Sequence, residues 1–218
     1  MKPKRIILVR HGQSQGNADQ SIYTTIPDHR VELTQKGQKQ ALAAGIKIKK
    51  IIGTEKVHAY VSPLTRTRQT YAGIEKGIRS NIADMLEDPR IREQEYGHLN
   101  SYTKSVEEVM AERRAYGKFY YRLPDGESPA DVYDRMSTFM ESLYRAFEQP
   151  DYSPNTLLVS HGAAIRVFLM RWYRLKVEDF LNLKNPTNCQ LVVMEQNEKG
   201  KYALIQGLNK RGEERVNE

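Results

Sequence analysis

Cysteine is nearly missing from this chain: Cys189 is the single one in 218 residues. That excludes an intramolecular disulfide and any thiolate cluster for zinc or iron–sulfur, and it suits a reducing, cytoplasmic setting. Long apolar runs are missing too. Nothing approaches the roughly 20 residues needed to span a bilayer, and the apolar run behind Met1-Lys2-Pro3-Lys4-Arg5 is too short for a signal peptide and has no cleavage site. No basic run is interleaved with aromatics, no zinc-finger spacing or internal repeat occurs, and nucleic-acid binding is therefore disfavoured. A Walker-type Gly-x-x-x-x-Gly-Lys and an acidic cluster suited to magnesium are also wanting, which disfavours metal-dependent nucleotide phosphoryl transfer.

What the chain does have is positive charge, 34 Lys and Arg against 27 Asp and Glu for a net +7. Part of that excess is ordinary: Lys47, Lys49 and Lys50 close a helix, where cations suit the dipole, and Lys210 to Arg215 lie in a polar stretch. A small anionic ligand remains the natural partner, with neither nucleic acid nor membrane expected. With 39% hydrophobic residues, the composition supports one α/β core and is too lean for two. The expected organisation is one domain over 1–207 and a polar tail over 208–218.

Strand and helix patterns alternate. Lys4 to Val9 reads as a short central strand, and Leu33-Thr34 opens a helix that runs to Gly53. Val57 to Val61 reads as the next strand, followed after Ser62-Pro63 by a helix over 64–78. Residues 80–103 show no clear period and predict a long surface loop with one short helix at most. A helix is expected over Val106–Tyr121 and another from Ser128-Pro129, whose apolar face comprises Val132, Met136, Phe139, Met140, Leu143 and Phe147. Thr156 to Val159 reads as a buried strand, Ala163 to Tyr173 as a helix, and 190–194 with 202–206 as a hairpin around Glu198-Lys199-Gly200. This order predicts an α/β three-layer sandwich: a mainly parallel central sheet, helices on both faces, and an antiparallel edge strand.

In such sheets, ligands sit outside the carboxyl ends of the strands. Three predicted strands end in polar groups of one kind: Arg10-His11-Gly12, Ser62-Pro63 with Arg66 one turn later, and Ser160-His161-Gly162. A lone histidine at a strand end is more often a structural residue, and Arg66 and Arg68 alone would read as a solvated helix face. Two histidines and two arginines delivered to one edge form a cationic socket whose forked donors match phosphate oxygens. Without a metal, imidazole can take the phosphoryl group as a phosphohistidine, and neighbouring arginines keep it neutral. A leaving alcohol then needs a proton, and Arg92-Glu93-Gln94-Glu95-Tyr96-Gly97 offers carboxylates whose pKa a nearby phosphate would raise. The plainer reading of that stretch is a loop whose acids pair with Arg90 and Arg92.

Four separated motifs then carry a resemblance: R-H-G-Q-S-Q-G-N at 10–17, L-T-Q-K-G-Q-K-Q-A at 33–41, S-P-L-T-R-T-R-Q-T at 62–70 and L-V-S-H-G at 158–162. The chain resembles the histidine phosphatase superfamily, also called phosphoglycerate mutase-like, from about residue 4 to residue 207. P-R-I-R-E-Q-E-Y-G at 89–97 and R-L-P-D-G-E-S-P-A-D-V-Y-D-R at 122–135 are similar to a fungal and plant branch that includes broad-specificity acid phosphatases. The resemblance implies a phosphoglycerate mutase-like fold with His11 as nucleophile, Arg10 and Arg66 as phosphate clamps, and His161 as the second phosphate-binding histidine. It implies Asn17 and Gly162 near the phosphate and Glu93 as general acid and base, while Arg68 is left structural and Glu127-Ser128 is left as a helix start. No metal or cofactor is expected.

The family contains mutases and phosphatases. In the mutases the acid is followed by Arg-His-Tyr-Gly; here Gln94-Glu95-Tyr96-Gly97 follows, a loss of cations that Arg113 and Arg114 partly offset. A metal-independent phosphomonoester hydrolase acting on small phosphorylated metabolites is therefore favoured. A bisphosphoglycerate-dependent mutase, the one case in which bisphosphoglycerate is a cofactor, is the first alternative. A phosphate-binding member with little turnover is the second. Tyr23, Tyr102, Tyr116, Phe119, Tyr120 and Tyr121 are candidate substrate walls or ordinary packing.

Overall fold

A computed structural model of the protein describes residues 2–97 and 105–210. Six strands form one sheet in the order β3-β2-β4-β1-β5-β6: β1 Arg5–Arg10, β2 Val57–Val61, β3 Ile82–Glu87, β4 Asn155–Ser160, β5 Leu191–Gln196 and β6 Tyr202–Gln206. The first four are parallel, and β5 and β6 run antiparallel at one side. The expected α/β architecture is thus present.

Period-two alternation sends the two halves of each strand to different layers. Ile6, Leu8, Tyr60 and Leu158 pack against helices α5 (Pro129–Phe147) and α6 (Gly162–Tyr173). Ile7, Val9, Ala59, Val61, Leu157 and Val159 pack on the other face against α2 (Gln35–Ile52) and α3 (Thr65–Ile78). Ile6, Ile7, Leu8 and Val9 are all 0% exposed, and burying each is worth roughly 1.5–3 kcal/mol. β1 is therefore fixed in register, and so is whatever follows it.

Local chemistry sets the helix ends. Thr34 caps α2 by accepting from the Gly37 amide, and Gly53, at φ 57°, ends it. Ser128 and Asp131 form a capping box at the head of α5, with Pro129 in the first turn. All six apolar positions named for that helix are buried.

Three expectations need correction. Residues 80–103 are not one loop: Ile82–Glu87 is β3, paired in parallel with β2. It is an edge strand with five of its six residues exposed, so it lacks the buried alternation that marks a strand. The helix expected over 106–121 stops as α4, Val106–Tyr116, because Gly117 takes φ 114°. Two short helices, α1 (Gln15–Ala18) and α7 (Val177–Asn182), were not anticipated. At the chain end, Asn209 accepts from the Lys184 amide and Lys210 bridges Leu183, so 208–210 fold back onto the body; 211–218 lie outside the described residues. Among those described, no helix is long and apolar enough to cross a membrane.

Candidate active site

The parallel register of β1 with β4 pairs Arg10 with Ser160, so the next residue of each strand is a histidine at the same sheet edge. The rings of His11 and His161 stand 5.3 Å apart, centroid to centroid, and are 3% and 0% exposed. The His11 Nδ1 lies 2.7 Å from the Gly12 carbonyl oxygen. A carbonyl only accepts, so Nδ1 carries the hydrogen and the lone pair is left on Nε2. The His161 Nε2 is 2.7 Å from the Ser62 hydroxyl, which β2 delivers from the neighbouring strand end.

Arg66, 3% exposed, comes from the first turn of α3 and donates to the Asp28 carbonyl at 2.7 Å and to its carboxylate at 3.0 Å. Arg10 donates through Nη1 to the Pro186 carbonyl at 2.7 Å. The Arg10 Nε and the His161 Nδ1 are buried with no hydrogen-bond partner among the described residues, so the socket holds polar atoms suited to an anionic guest.

Both histidines are held well below the ordinary imidazole range, first by burial and then by Arg66 and Arg10. Burial thus outweighs the arginines invoked from sequence. Glu93 shifts the other way. Its carboxylate accepts from the Gln94 amide at 3.0 Å and the Ala163 amide at 3.1 Å, at the head of α6. Burial still pushes its pKa up, against the opposing pull of the Gln94 and Ala164 amides and both arginines. Burial therefore biases the imidazoles toward their neutral form and the Glu93 carboxyl toward its protonated form.

The other anticipated residues have mixed placements. Asn17 is exposed, and its side-chain oxygen accepts from the Ser14 amide at 3.3 Å and from Asn188 at 2.9 Å, leaving its amide nitrogen as the donor. Gly162 opens α6 beside the Asn185 side chain. At Gly12 a Cβ would sit 2.5 Å from the Gly37 carbonyl oxygen, so two backbones meet there. Arg68 pairs with Glu87 at 2.7 and 2.5 Å, a structural role tying α3 to β3.

Of the candidate wall aromatics, Phe119 is core, Tyr116 and Tyr120 are 71% and 59% exposed, and Tyr121 donates to Glu112. Tyr102 lies outside the described residues. Sequence reasoning missed Asn188, which also donates to the His11 carbonyl at 3.2 Å, and Cys189, whose amide donates to the carbonyls of Arg10 and His11. Burial pushes the Cys189 thiol up to about 12, so it acts through its backbone. Neither residue stands in a local pattern that marks it.

A cavity of about 330 Å³ adjoins this region: its lining includes Gln94 and Ala163, whose amides both donate to the Glu93 carboxylate. Arg113, Arg114, Lys118 and Arg166 line it. Within that lining, the Gln94 side-chain amide donates to the Glu127 carbonyl at 2.7 Å.

The chain is 42% identical over 215 residues to the phosphoglycerate mutase-like protein AT74 of Arabidopsis thaliana, covering 93% of this chain and 68% of that one. It is 28% identical to the broad-range acid phosphatase DET1 of Saccharomyces cerevisiae, covering 93% and 89%. Its fold matches a mycobacterial glucosyl-3-phosphoglycerate phosphatase with inorganic phosphate at a TM-score of 0.71 and 20% identity, over 95% and 98% of the two chains. The family pattern of the histidine phosphatase superfamily, branch 1, matches residues 6–208, nearly the whole chain. With the histidines, arginines and strand order already described, this chain belongs to the histidine phosphatase superfamily, a group of phosphatases and mutases.

Proposed function

We propose that the protein is a metal-independent phosphomonoester hydrolase that passes the phosphoryl group through His11. The observation that carries this reading is the His11 ring: its Nδ1 is tied to the Gly12 carbonyl and its pKa is depressed, so a neutral Nε2 lone pair is available in a cationic socket. Nε2 attacks phosphorus as the ester P–O bond breaks. Glu93 gives its proton to the departing alcohol oxygen. Water then attacks the phosphohistidine, Glu93 takes a proton back, and the P–N bond breaks to release phosphate. Arg10, Arg66 and His161 stabilise the charge that gathers on the phosphoryl oxygens, and the Asn17 amide and the Gly162 end of α6 complete the phosphate contacts.

The cationic lining of the adjoining cavity supports small substrates with a second anionic group, a phosphate or carboxylate on the ester's alcohol portion. That same lining supports the second reading, a bisphosphoglycerate-dependent mutase, in which a second hydroxyl replaces water as the acceptor. Hydrolysis of p-nitrophenyl phosphate in EDTA tests the first reading; activity that requires added metal overturns it. Incubation with 3-phosphoglycerate and the bisphosphate separates the two, since a hydrolase releases phosphate and a mutase yields 2-phosphoglycerate.

A further inference from the structure

We infer that Arg135, working with Glu127, is a positioning residue that holds Glu93 where it can hand its proton to the leaving group. The inference rests on Glu93 being the acid, and adds residues that contact no substrate. Glu93 lies within 92–97, which form no regular helix or strand after the turn at Pro89–Ile91, so its own backbone does little to place it.

Arg135, on α5, supplies what that stretch lacks. Its Nη1 donates to the carbonyls of Arg90 at 2.6 Å and Arg92 at 2.9 Å, and its Nη2 to the carbonyl of Glu93 itself at 3.0 Å. Nε and Nη2 also reach the two carboxylate oxygens of Glu127, each at 2.9 Å. These five bonds match the five N–H donors of a guanidinium. Glu127 then holds the segment on both sides of Glu93: its carboxylate accepts from the Arg92 side chain at 2.6 Å and from the Glu95 amide at 3.0 Å. Its backbone amide donates to the Glu95 carbonyl at 2.8 Å, and its carbonyl accepts from Gln94.

The Arg135 and Glu127 side chains are 11% and 15% exposed, so the pair is little screened. An exposed ion pair would hold nothing in place at so small an energy; a planar fork with little exposure that binds the carbonyls of Arg90, Arg92 and Glu93 fixes a backbone, which a lysine's point charge cannot copy. The capping of α5 needs only Ser128 and Asp131. Glu127 is thus free of the helix-start duty that the sequence suggested for it.

The test compares the wild type, Arg135→Lys, Glu93→Gln and the double variant on two substrates, p-nitrophenyl phosphate and glycerol 2-phosphate. Nitrophenolate leaves without a proton and the alkoxide does not. Arg135→Lys is expected to lower kcat/KM, which covers only the steps through departure of the alcohol, about tenfold more on glycerol 2-phosphate than on p-nitrophenyl phosphate, a part of the 10²–10⁴ that a general acid supplies. In the Glu93→Gln background, Arg135→Lys is expected to add less than about twofold, because both changes remove one function. Equal slowing of both substrates, or an undiminished effect in the Glu93→Gln background, overturns the positioning role while leaving Glu93 as the acid. Glu93→Gln without leaving-group dependence overturns both. Should Arg135→Lys lose its native circular dichroism, Glu127→Gln takes its place with the same selective pattern expected, and equal slowing by it overturns the role.

Discussion

The phosphate socket and the cavity wall beside it are built on opposite principles. The socket stands on three strand ends in a sheet whose register is set by fully buried residues, and His11, His161 and Arg66 are each 3% exposed or less. The wall leans on α4, an 11-residue helix with one buried residue, Val109, and on Arg113, Arg114 and Lys118. A group that must meet phosphorus in one geometry sits on the rigid part of the fold. On the proposed function, Arg113, Arg114 and Lys118 would only attract a second charge. They sit where few contacts hold the helix and where substitution costs the fold little, with Arg166 of α6 as the firmly held exception.

This contrast can be broken from either side. His11→Ala should cut turnover by about 10³-fold or more on every phosphate ester, because the nucleophile is shared by all of them; steady-state assays on a substrate panel check it. Arg113→Ala should raise KM about tenfold for 3-phosphoglycerate and leave p-nitrophenyl phosphate unchanged. An equal loss on both substrates would place Arg113 in the socket rather than the wall.

The pH profile sharpens the comparison further. His11 must be neutral, and its pKa is depressed, so the nucleophile survives acidification. Glu93 must be protonated for alcohol departure, and its pKa is raised, so the acid form persists above the usual carboxylate range. Activity on glycerol 2-phosphate should therefore be highest in weak acid and fall as pH rises through the Glu93 pKa, a limb that Glu93→Gln abolishes.

A smaller effect falls on stability. His11 and His161 take up protons on unfolding below about pH 6.5, the ordinary imidazole value, so the unfolded state binds more protons and stability falls as pH drops. Glu93 has the opposite sign: its raised folded pKa favours the native state at low pH and is lost as pH rises. With two histidines against one carboxyl, the melting temperature should decline on acidification below that value. His161→Asn should reduce the slope, as differential scanning fluorimetry across pH would register.

The same division explains what could be read in advance. Arg10-His11-Gly12, Ser62 to Arg66 and Ser160-His161-Gly162 each follow a continuous apolar run, and a parallel sheet brings such ends together whatever the loops do. β3 was not legible because an exposed edge strand carries no burial period. The end of α4 turned on Gly117 taking a positive φ, which a glycine permits but does not require. Asn188, Arg135 and Asp28 act on groups 177, 42 to 45 and 38 positions away in the chain, and no spacing in the sequence announces partners so distant. The turn of the Gln94 amide to the Glu127 carbonyl, 33 positions on, is equally silent in the sequence.

The account depends most on the phosphoryl group passing through His11. Mixing the enzyme with excess p-nitrophenyl phosphate, quenching in alkaline denaturant that preserves phosphohistidine, and mapping the peptides by mass spectrometry tests this directly. The expected result is a phosphoryl group on His11 and none in His11→Ala. Turnover with no phosphoenzyme at any quench time, or phosphate carried on His161 instead, would contradict it.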